Sequence, residues 1–394
     1  MGIQHLGPLT ARLRRAWPTW AVLLVAVAAW VVAALLTLHW GGSSNFDLRI
    51  YRDAERTLSG NHTYSIHFSR AHLRFTYPPF ALLLLSPLAS VPVVALEVAW
   101  WLLSSAALVT LSYLALTGAT QLRGRRAVAL AALLAGIAQC ALEPLRSNAD
   151  YGQINVFLML LVVTDITRVP RPWRGLLVGL AAAIKLTPLL YLVYFLVERD
   201  LRSALRAGGA FLGSVALAWA VIPSDSAYYW LHQVAQPQHT GNVNYVSNQS
   251  WLGFAHRAPF NADHLGIALW CVLELATLAA GIIAADRLVR LGRKIDALLA
   301  LALTELLVSP ISWTHHWSWL ILVPIVVLAR LGEHRRLPAA MVLVLVIAIA
   351  EPYWWGLSGW LGDVADDSLL LCGALLLASM TRMGSLGEKA MATG

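Results

Sequence analysis

The chain has little charge. Asp, Glu, Lys and Arg make up only 13% of its 394 residues, whereas an ordinary soluble domain carries about 25%. Hydrophobic residues make up 58%, and the mean hydropathy is +0.65. At about 20 apolar residues per membrane crossing, this composition excludes a water-soluble globular protein and predicts an all-α polytopic membrane protein. No internal repeat or low-complexity linker divides the sequence, so we expect a single membrane domain over residues 1–394.

Cysteine is also scarce. The three cysteines, Cys140, Cys271 and Cys372, lie inside apolar runs without paired spacing. This pattern excludes a disulfide framework and a thiolate metal site. The sequence has no H-E-x-x-H motif either, and the neighbouring His315 and His316 would point about 100° apart on a helix, so they do not converge on one ion. The sequence therefore predicts no metal site.

Basic residues outnumber acidic ones by 29 to 21, which gives a net charge of +8. Most of them fall in short clusters between apolar runs, at 12–15, 123–126, 168–174, 199–206, 287–294, 330–336 and 382–389. Such clusters are typical of the cytoplasmic loops of membrane proteins rather than of a nucleic-acid surface. We therefore expect the charge to orient the chain in a membrane, with no nucleic-acid partner.

Ten apolar runs are suited to full crossings: 17–40, 92–117, 127–143, 152–167, 203–222, 265–285, 295–309, 316–331, 338–354 and 367–381. Two further runs, 76–90 and 175–197, are interrupted by Tyr77-Pro78-Pro79 and by Lys185-Leu186-Thr187-Pro188. We expect these two to be broken or re-entrant, which requires surrounding protein or a water-filled cavity. If both leave by the face at which they enter, every basic cluster and the N-terminus lie in the cytoplasm.

The same topology collects the polar remainder on the extracytoplasmic face, chiefly in a first outer loop at 41–75 and a long outer loop at 223–264. Within the first loop, the spacing of Phe46, Ile50, Tyr51, Ala54 and Leu58 predicts an amphipathic helix along the membrane surface. Asn45 would cap that helix and Asp47 would lie in its first turn. The Asp47 carboxylate either complements the helix dipole or acts as a general base.

Polar residues recur wherever an apolar run is broken. Tyr77 is either an interfacial tyrosine or a substrate contact. Arg146, Asn148, Gln153 and Asn155 lie between two spans, where amides around an arginine suit a hydroxyl-rich or phosphate ligand. Lys185 would be an intramembrane lysine, which costs about 2.5–3.5 kcal/mol on insertion scales, so a functional role is the default interpretation.

Two further segments contribute candidate residues. The long outer loop offers Asn248, Gln249, Trp251 and Arg257, a combination that suits carbohydrate, although loops in general are rich in such residues. His315 and His316 lie between Trp313 and Trp317. They either donate to an anionic ligand or belong to an interfacial aromatic belt.

Taken in order, DLRIY with GNHTY, FTYPPFALLLLSPLA, RSNADYGQINVF, GLAAAIKLTPLL, NQSW and SPISWTHHW resemble the bacterial polyprenyl-phosphate-mannose-dependent mannosyltransferases of glycosyltransferase family 87. The resemblance runs from about residue 45 to residue 320. It is greatest to the actinobacterial α-1,2-mannosyltransferases that extend phosphatidylinositol mannosides. It implies the GT-C fold, a polyprenyl-phosphate-mannose donor and a glycolipid acceptor at the extracytoplasmic face.

The resemblance also implies roles. Asp47 would deprotonate the acceptor hydroxyl, and the donor would be inverted to an α linkage. His315, His316, Arg146, Lys185 and Arg257 would be available to the donor phosphate. The substrate-binding residues would be Tyr77, Asn148, Gln153, Asn155, Asn248, Gln249 and Trp251. No D-x-D motif is present, so we expect neither metal nor other cofactor beyond the lipid co-substrate.

Two other functions fit parts of the pattern. An intramembrane lysine and two broken segments are also features of secondary transporters or flippases. A non-catalytic lipid-binding or assembly subunit would tolerate the loss of Asp47, whereas an enzyme that uses it as a base would not.

Overall fold

The computed structural model describes residues 18–40, 45–54, 63–68, 73–236, 240–257, 264–330 and 336–392. These parts of the chain are helical. Their extended pairings are two isolated bridges, Phe68 with Leu73 and Asn248 with Trp313. The predicted all-α class is confirmed.

The described α-helices, in chain order, are α1 (Thr19–Trp40), α2 (Phe46–Ala54), α3 (Pro79–Leu85), α4 (Val93–Ala119), α5 (Gly124–Ala141), α6 (Glu143–Asp150), α7 (Asn155–Thr167), α8 (Leu176–Ile184), α9 (Leu192–Val197), α10 (Leu201–Val221), α11 (Pro223–Tyr228), α12 (Trp251–Arg257), α13 (His264–Arg290), α14 (Lys294–Val308), α15 (Leu322–Arg330), α16 (Arg336–Ala350), α17 (Gly359–Asp366) and α18 (Ser368–Ala392). Short 3-10 helices occur at Ser86–Ser90, Thr187–Tyr191 and Thr314–Ile321.

Among the described residues, five helices are long and apolar enough to cross a membrane: α1, α4, α5, α10 and α13. The number rises to seven if each of two bent pairs forms one span. These pairs are α6 with α7, bent by 116°, and α17 with α18, bent by 59°. A membrane protein is therefore supported, but the predicted count of ten crossings is not confirmed.

The core is organised around α14. Every residue of this helix from Ile295 to Leu307 is buried, including Asp296, Thr304 and Glu305, so the helix is enclosed by protein on all sides. The long helices around it instead expose large apolar side chains, among them Val94, Leu205 and Leu275. An exposed apolar surface of this kind faces lipid in a membrane protein.

Both predicted breaks are present. The chain runs extended through Pro78 before α3 begins, and α8 ends at Ile184, where Lys185 adopts an extended conformation. The polar segment 144–151, which lies between two predicted spans, falls largely within α6. The proline at its second position explains this, because proline fits the first turn of a helix.

The predicted surface helix is α2, and Asp47 lies in its first turn. Leu48, Ile50, Tyr51 and Ala54 are buried in the protein core, and α2 packs on α3 and on the 3-10 helix Ser86–Ser90. The apolar face of α2 therefore rests on protein rather than on the membrane surface alone. Leu58, the last member of the predicted pattern, lies outside the described residues.

Candidate active site

The turn at residues 150–153 holds the start of α2. The backbone N–H groups of Asp47 and Leu48 donate to the carbonyl of Tyr151, at 3.1 and 3.3 Å. Gly152 has a φ of +66°, and a Cβ placed there would lie 2.6 Å from the Cβ of Leu48. Glycine is therefore required by both backbone conformation and close approach, and the contact fixes where Asp47 sits.

Asp47 is joined to Gln153 and two tyrosines. The Gln153 side-chain N–H donates to Asp47 Oδ2 at 2.8 Å, and the Gln153 carbonyl oxygen accepts from the Tyr77 hydroxyl at 2.9 Å. The Tyr51 hydroxyl lies 2.8 Å from that of Tyr77 and 3.3 Å from the same oxygen of Gln153. Because the two tyrosine hydroxyls bond the side-chain oxygen of Gln153, its side-chain N–H points at Asp47 Oδ2. Oδ1 of Asp47 can then accept a proton or a hydrogen bond from a substrate.

Burial raises the pKa of Asp47 from 3.8 to about 6, while the Gln153 hydrogen bond and the charge of Lys185 oppose the rise. Desolvation disfavours the ionised carboxylate, and a hydrogen-bond donor or a cation favours it. A carboxylate with a pKa near 6 is ionised at neutral pH and is still basic enough to accept a proton from a substrate. This matches the requirements of a general base.

Lys185 supplies the positive charge beside this group. Its Nζ donates to Asn155 Oδ1 at 2.8 Å and lies 3.1 Å from His316 Nε2. It also lies 5.3 Å from the centre of the Tyr77 ring, within the range of a cation–π contact. The Asn155 side-chain N–H donates to the carbonyl of His315 at 3.3 Å. Residues from four separate segments thus meet around one ammonium group.

The two histidines differ in their partners. His316 is contacted by Lys185 and also bonds the backbone of Ile311, so both of its nitrogens are engaged. His315 is only 6% exposed, and neither of its ring nitrogens has a hydrogen-bond partner among the described residues. Its ring packs edge-on against His316 and Tyr151. Of the two, His315 is the one with donor capacity to spare.

The predicted arginines lie in ion pairs. Arg146 pairs with Glu351 and donates to the carbonyls of Cys140 and Ala141. Arg257 pairs with Asp367 and donates to the carbonyls of Tyr245 and Asn248. The structure does not place either arginine among the contacts of Lys185. Their proposed phosphate contacts stay predictions.

Three predicted sugar contacts are engaged by the protein itself. Asn248 accepts from the Ser312 N–H at 2.8 Å and donates to two carbonyls, and Gln249 donates to two carbonyls and accepts from the Leu370 N–H. Trp251 is buried and donates to Thr277 at 2.8 Å. The Asn248 bonds hold the loop before α12 against Pro310 and Ser312, whereas the Gln249 side chain bonds residues 366 and 370 and Trp251 bonds α13. Sugar binding by them stays a prediction.

Asn148 adjoins the Asp47 network through a backbone hydrogen bond with Gln153. Its backbone carbonyl accepts from the Gln153 N–H at 2.9 Å, whereas its side-chain oxygen is buried without a partner among the described residues. Within those residues no group of three or more His, Cys, Asp or Glu side chains is arranged to hold a metal ion.

Two residues at the site were not predicted. Tyr51 was interpreted only as part of an apolar stripe, although its position four residues after Asp47 places both on one face of α2. Glu143 is buried and accepts hydrogen bonds from Thr314 at 2.9 Å and Tyr353 at 3.1 Å. It thereby holds the segment that carries His315, and nothing in the local sequence pairs these positions.

The sequence matches one known family and is similar to several named proteins. Residues 75–310 match the family described as Glycosyltransferase family 87. A Mycobacterium tuberculosis protein named polyprenol-phosphate-mannose-dependent alpha-(1-2)-phosphatidylinositol mannoside mannosyltransferase is 38% identical over 70% of this chain and 66% of its own length. A protein of the same name from Mycolicibacterium smegmatis is 34% identical over 84% of this chain and 82% of its own.

A third relative, also from Mycobacterium tuberculosis, is named as the corresponding pentamannoside mannosyltransferase. It is 36% identical over 85% of this chain and 78% of its own length.

Proposed function

The chain belongs to glycosyltransferase family 87, and on that premise we propose that it transfers mannose from polyprenol-phosphate-mannose to a phosphatidylinositol mannoside, forming an α-(1-2) linkage. The relatives named above are all mannosyltransferases of this kind. None of them supports the transporter alternative.

One observation carries the chemical part of the proposal: Asp47, with its pKa raised to about 6, is hydrogen-bonded to Gln153, and the half-buried ammonium of Lys185 lies 5.3 Å from the ring of Tyr77, which bonds the same Gln153 side chain. Asp47 accepts the proton of the acceptor hydroxyl as its oxygen attacks the anomeric carbon. The bond between that carbon and the donor phosphate oxygen breaks, and the β-linked mannose becomes α-linked. A positioned base of this type contributes about 10²–10⁴-fold to the rate.

The leaving group is a polyprenyl phosphate, whose negative charge grows as the bond breaks. Lys185 and His315 are the groups proposed to receive it, because Lys185 is cationic and the His315 ring has unengaged nitrogens. Fixed charges and donors of this kind lower the barrier by stabilising the charge that develops. His316 then acts through Lys185 by orienting its ammonium group.

We propose that the reaction needs no metal. Lys185 already provides positive charge where a divalent ion would act, and the leaving group is a single phosphate rather than a nucleoside diphosphate. Chelating agents should leave transfer unchanged. Loss of transfer with chelator and its recovery with Mg²⁺ or Mn²⁺ would overturn this part of the proposal.

We further propose the GT-C architecture with ten crossings, and an active site on the extracytoplasmic face of the bacterial plasma membrane. The supporting argument is that the basic clusters all fall on the opposite side in this topology. A cysteine introduced at Tyr245, which is half exposed, should react with a membrane-impermeant reagent added to intact cells. A cysteine introduced in the cluster at 123–126 should react only after lysis.

The test of the function is transfer of labelled mannose by the purified protein in lipid, comparing wild type with Asp47→Asn. Asp53→Asn is a matched control, because it changes a carboxylate of the same helix that pairs with Arg52. We expect transfer in wild type and in the control and a loss of at least 100-fold in Asp47→Asn. Absence of transfer by folded wild-type protein, with both lipids intact, would refute the proposal.

A further inference from the structure

A cleft lies next to the Asp47 network that the proposed mechanism does not use. With its open mouth it encloses about 340 Å³. Its lining comes from the segment before α2 and from α4, α5, α6 and α7. Four of the lining residues matter most for the inference: Trp100, Trp101, Ser104 and Asn148.

These four residues share an unusual property. The indole nitrogens of Trp100 and Trp101, the hydroxyl of Ser104 and the side-chain oxygen of Asn148 are all buried, and none has a hydrogen-bond partner among the described residues. Native proteins leave few buried polar atoms unsatisfied, and each such atom calls for an explanation. Four of them line one cleft, so the cleft can accept a polar group that the described residues do not supply.

The chemistry of the lining restricts that group. Two indole N–H groups donate, an amide oxygen accepts, and a serine hydroxyl does both. The lining contains no ionised side chain. This set suits a neutral hydroxyl group, which both donates and accepts, better than it suits a phosphate, whose charge would go uncompensated there.

The position of the cleft relates it to one substrate. Trp100 packs on Tyr51 with ring centres 6.2 Å apart, and Tyr51 packs on Tyr77, whose ring faces Lys185. The cleft and the lysine therefore contact opposite ends of this row of aromatic rings. In an inverting displacement the attacking hydroxyl and the departing phosphate also lie on opposite sides of the anomeric carbon. The cationic side suits the donor, so the neutral side is left for the acceptor.

We propose that this cleft is an acceptor subsite, in which Trp100, Trp101, Ser104 and Asn148 bind a hydroxyl group of the acceptor glycan. The inference rests on the proposed function, since it assigns one substrate of that reaction. The hydroxyl lies among these four side chains, in the cleft that Asn45 also lines. These residues determine acceptor affinity and take no part in bond breaking.

The test compares Trp101→Phe and Ser104→Ala, which remove one donor each and nearly preserve shape. Matched controls are Trp360→Phe, at a tryptophan 73% exposed, and Ser379→Ala, on the exposed face of α18. The KM of each substrate is measured separately, with polyprenol-phosphate-mannose as donor and a phosphatidylinositol mannoside as acceptor. Thermal unfolding of each variant checks that it is folded, and either cleft variant suffices if the other does not fold.

We expect the KM for the acceptor to rise about five- to tenfold in each cleft variant, while the KM for the donor and both controls stay at wild-type values. Acceptor analogues that each lack one hydroxyl then identify the bound group. Removal of that hydroxyl should raise the KM for the acceptor in the wild-type enzyme and should cause no further rise in Trp101→Phe.

Unchanged KM for both substrates, in an enzyme that transfers mannose, would overturn the subsite and leave only ordered water in the cleft. A rise in the donor KM alone would also overturn it. If wild type transfers no mannose, the proposed function fails and the subsite fails with it.

Discussion

The proposal that Asp47 is the base makes a quantitative prediction about pH. A base acts only when it is ionised, so activity is present above its pKa and is lost as the pH falls through it. With a pKa of about 6, Asp47 is about 90% ionised at pH 7 and about 10% ionised at pH 5. We expect kcat/KM to fall about tenfold between these two values. A carboxylate with its ordinary pKa of 3.8 would give almost no change over that range.

A second variant tests the cause of this pKa. The Gln153 hydrogen bond favours the ionised carboxylate, so Gln153→Leu should raise the pKa of Asp47 and move the acidic limb of the profile to higher pH. A hydrogen bond to a charged group contributes about 1.5–3 kcal/mol, and 1.36 kcal/mol corresponds to one pH unit. We therefore expect the limb to move by about one unit or more.

Stability should respond to pH in the opposite direction. The pKa of Asp47 is higher in the folded protein than its ordinary value, so this group stabilises the fold at low pH and loses that contribution as the pH rises through about 6. The difference corresponds to about 3 kcal/mol. Asp47→Asn should therefore raise Tm relative to wild type at pH 8 and have little effect at pH 4.

The assays are initial rates of labelled mannose transfer from pH 5 to 8 and thermal unfolding at pH 4 and 8. A wild-type rate that does not change between pH 5 and 7 would refute the assignment of Asp47. So would an Asp47→Asn variant that keeps the wild-type acidic limb.

Three further predictions concern other parts of the structure. Lys185→Met should lower kcat/KM about 10²–10³-fold by removing charge stabilisation, with partial recovery in Lys185→Arg, as measured by the same transfer assay. Gly152→Ala should lower kcat at least tenfold, because the added Cβ would displace the start of α2, whereas Gly208→Ala, which has open space around it, should keep wild-type kcat. Asp296→Ala should destabilise the fold by about 3–5 kcal/mol, because it removes the buried carboxylate of an ion pair that accepts two hydrogen bonds from Arg330 at 2.9 and 3.0 Å. Thermal unfolding measures this loss.

Local signals in the sequence predicted the features that depend on neighbouring residues. Asn45 and Asp47 correctly indicated where α2 begins, and the proline after Tyr77 and the Lys185 segment correctly indicated two breaks. Proline and helix-end residues act over three or four positions, so one sequence suffices to locate them. The helix α6 was not predicted, because residues 144–151 are polar and show no apolar period.

The pairing of distant charges was not predictable in the same way. The partners of Arg146 and Arg257 lie 205 and 110 residues away, and no local pattern relates such positions. The difference in hydrogen-bond partners between His315 and His316 likewise depends on Ile311 and on Lys185, which lies in another segment. Hydropathy did not predict that α14 is surrounded by protein rather than by lipid, because both environments favour apolar residues.

The position of Lys185 between the base and the proposed phosphate site links donor binding to proton transfer. In the free enzyme its charge lowers the pKa of Asp47. A donor phosphate bound at Lys185 would offset that charge, so the pKa of Asp47 would rise and the carboxylate would become a stronger base once the donor is in place. The acidic limb of kcat, which reports the complex with substrate, should then lie at higher pH than that of kcat/KM for the donor, which reports free enzyme. In Lys185→Met the acidic limb of kcat/KM should itself move to higher pH, because the charge that lowers the pKa of Asp47 is gone. A limb that keeps its wild-type position in this variant would refute the electrostatic coupling.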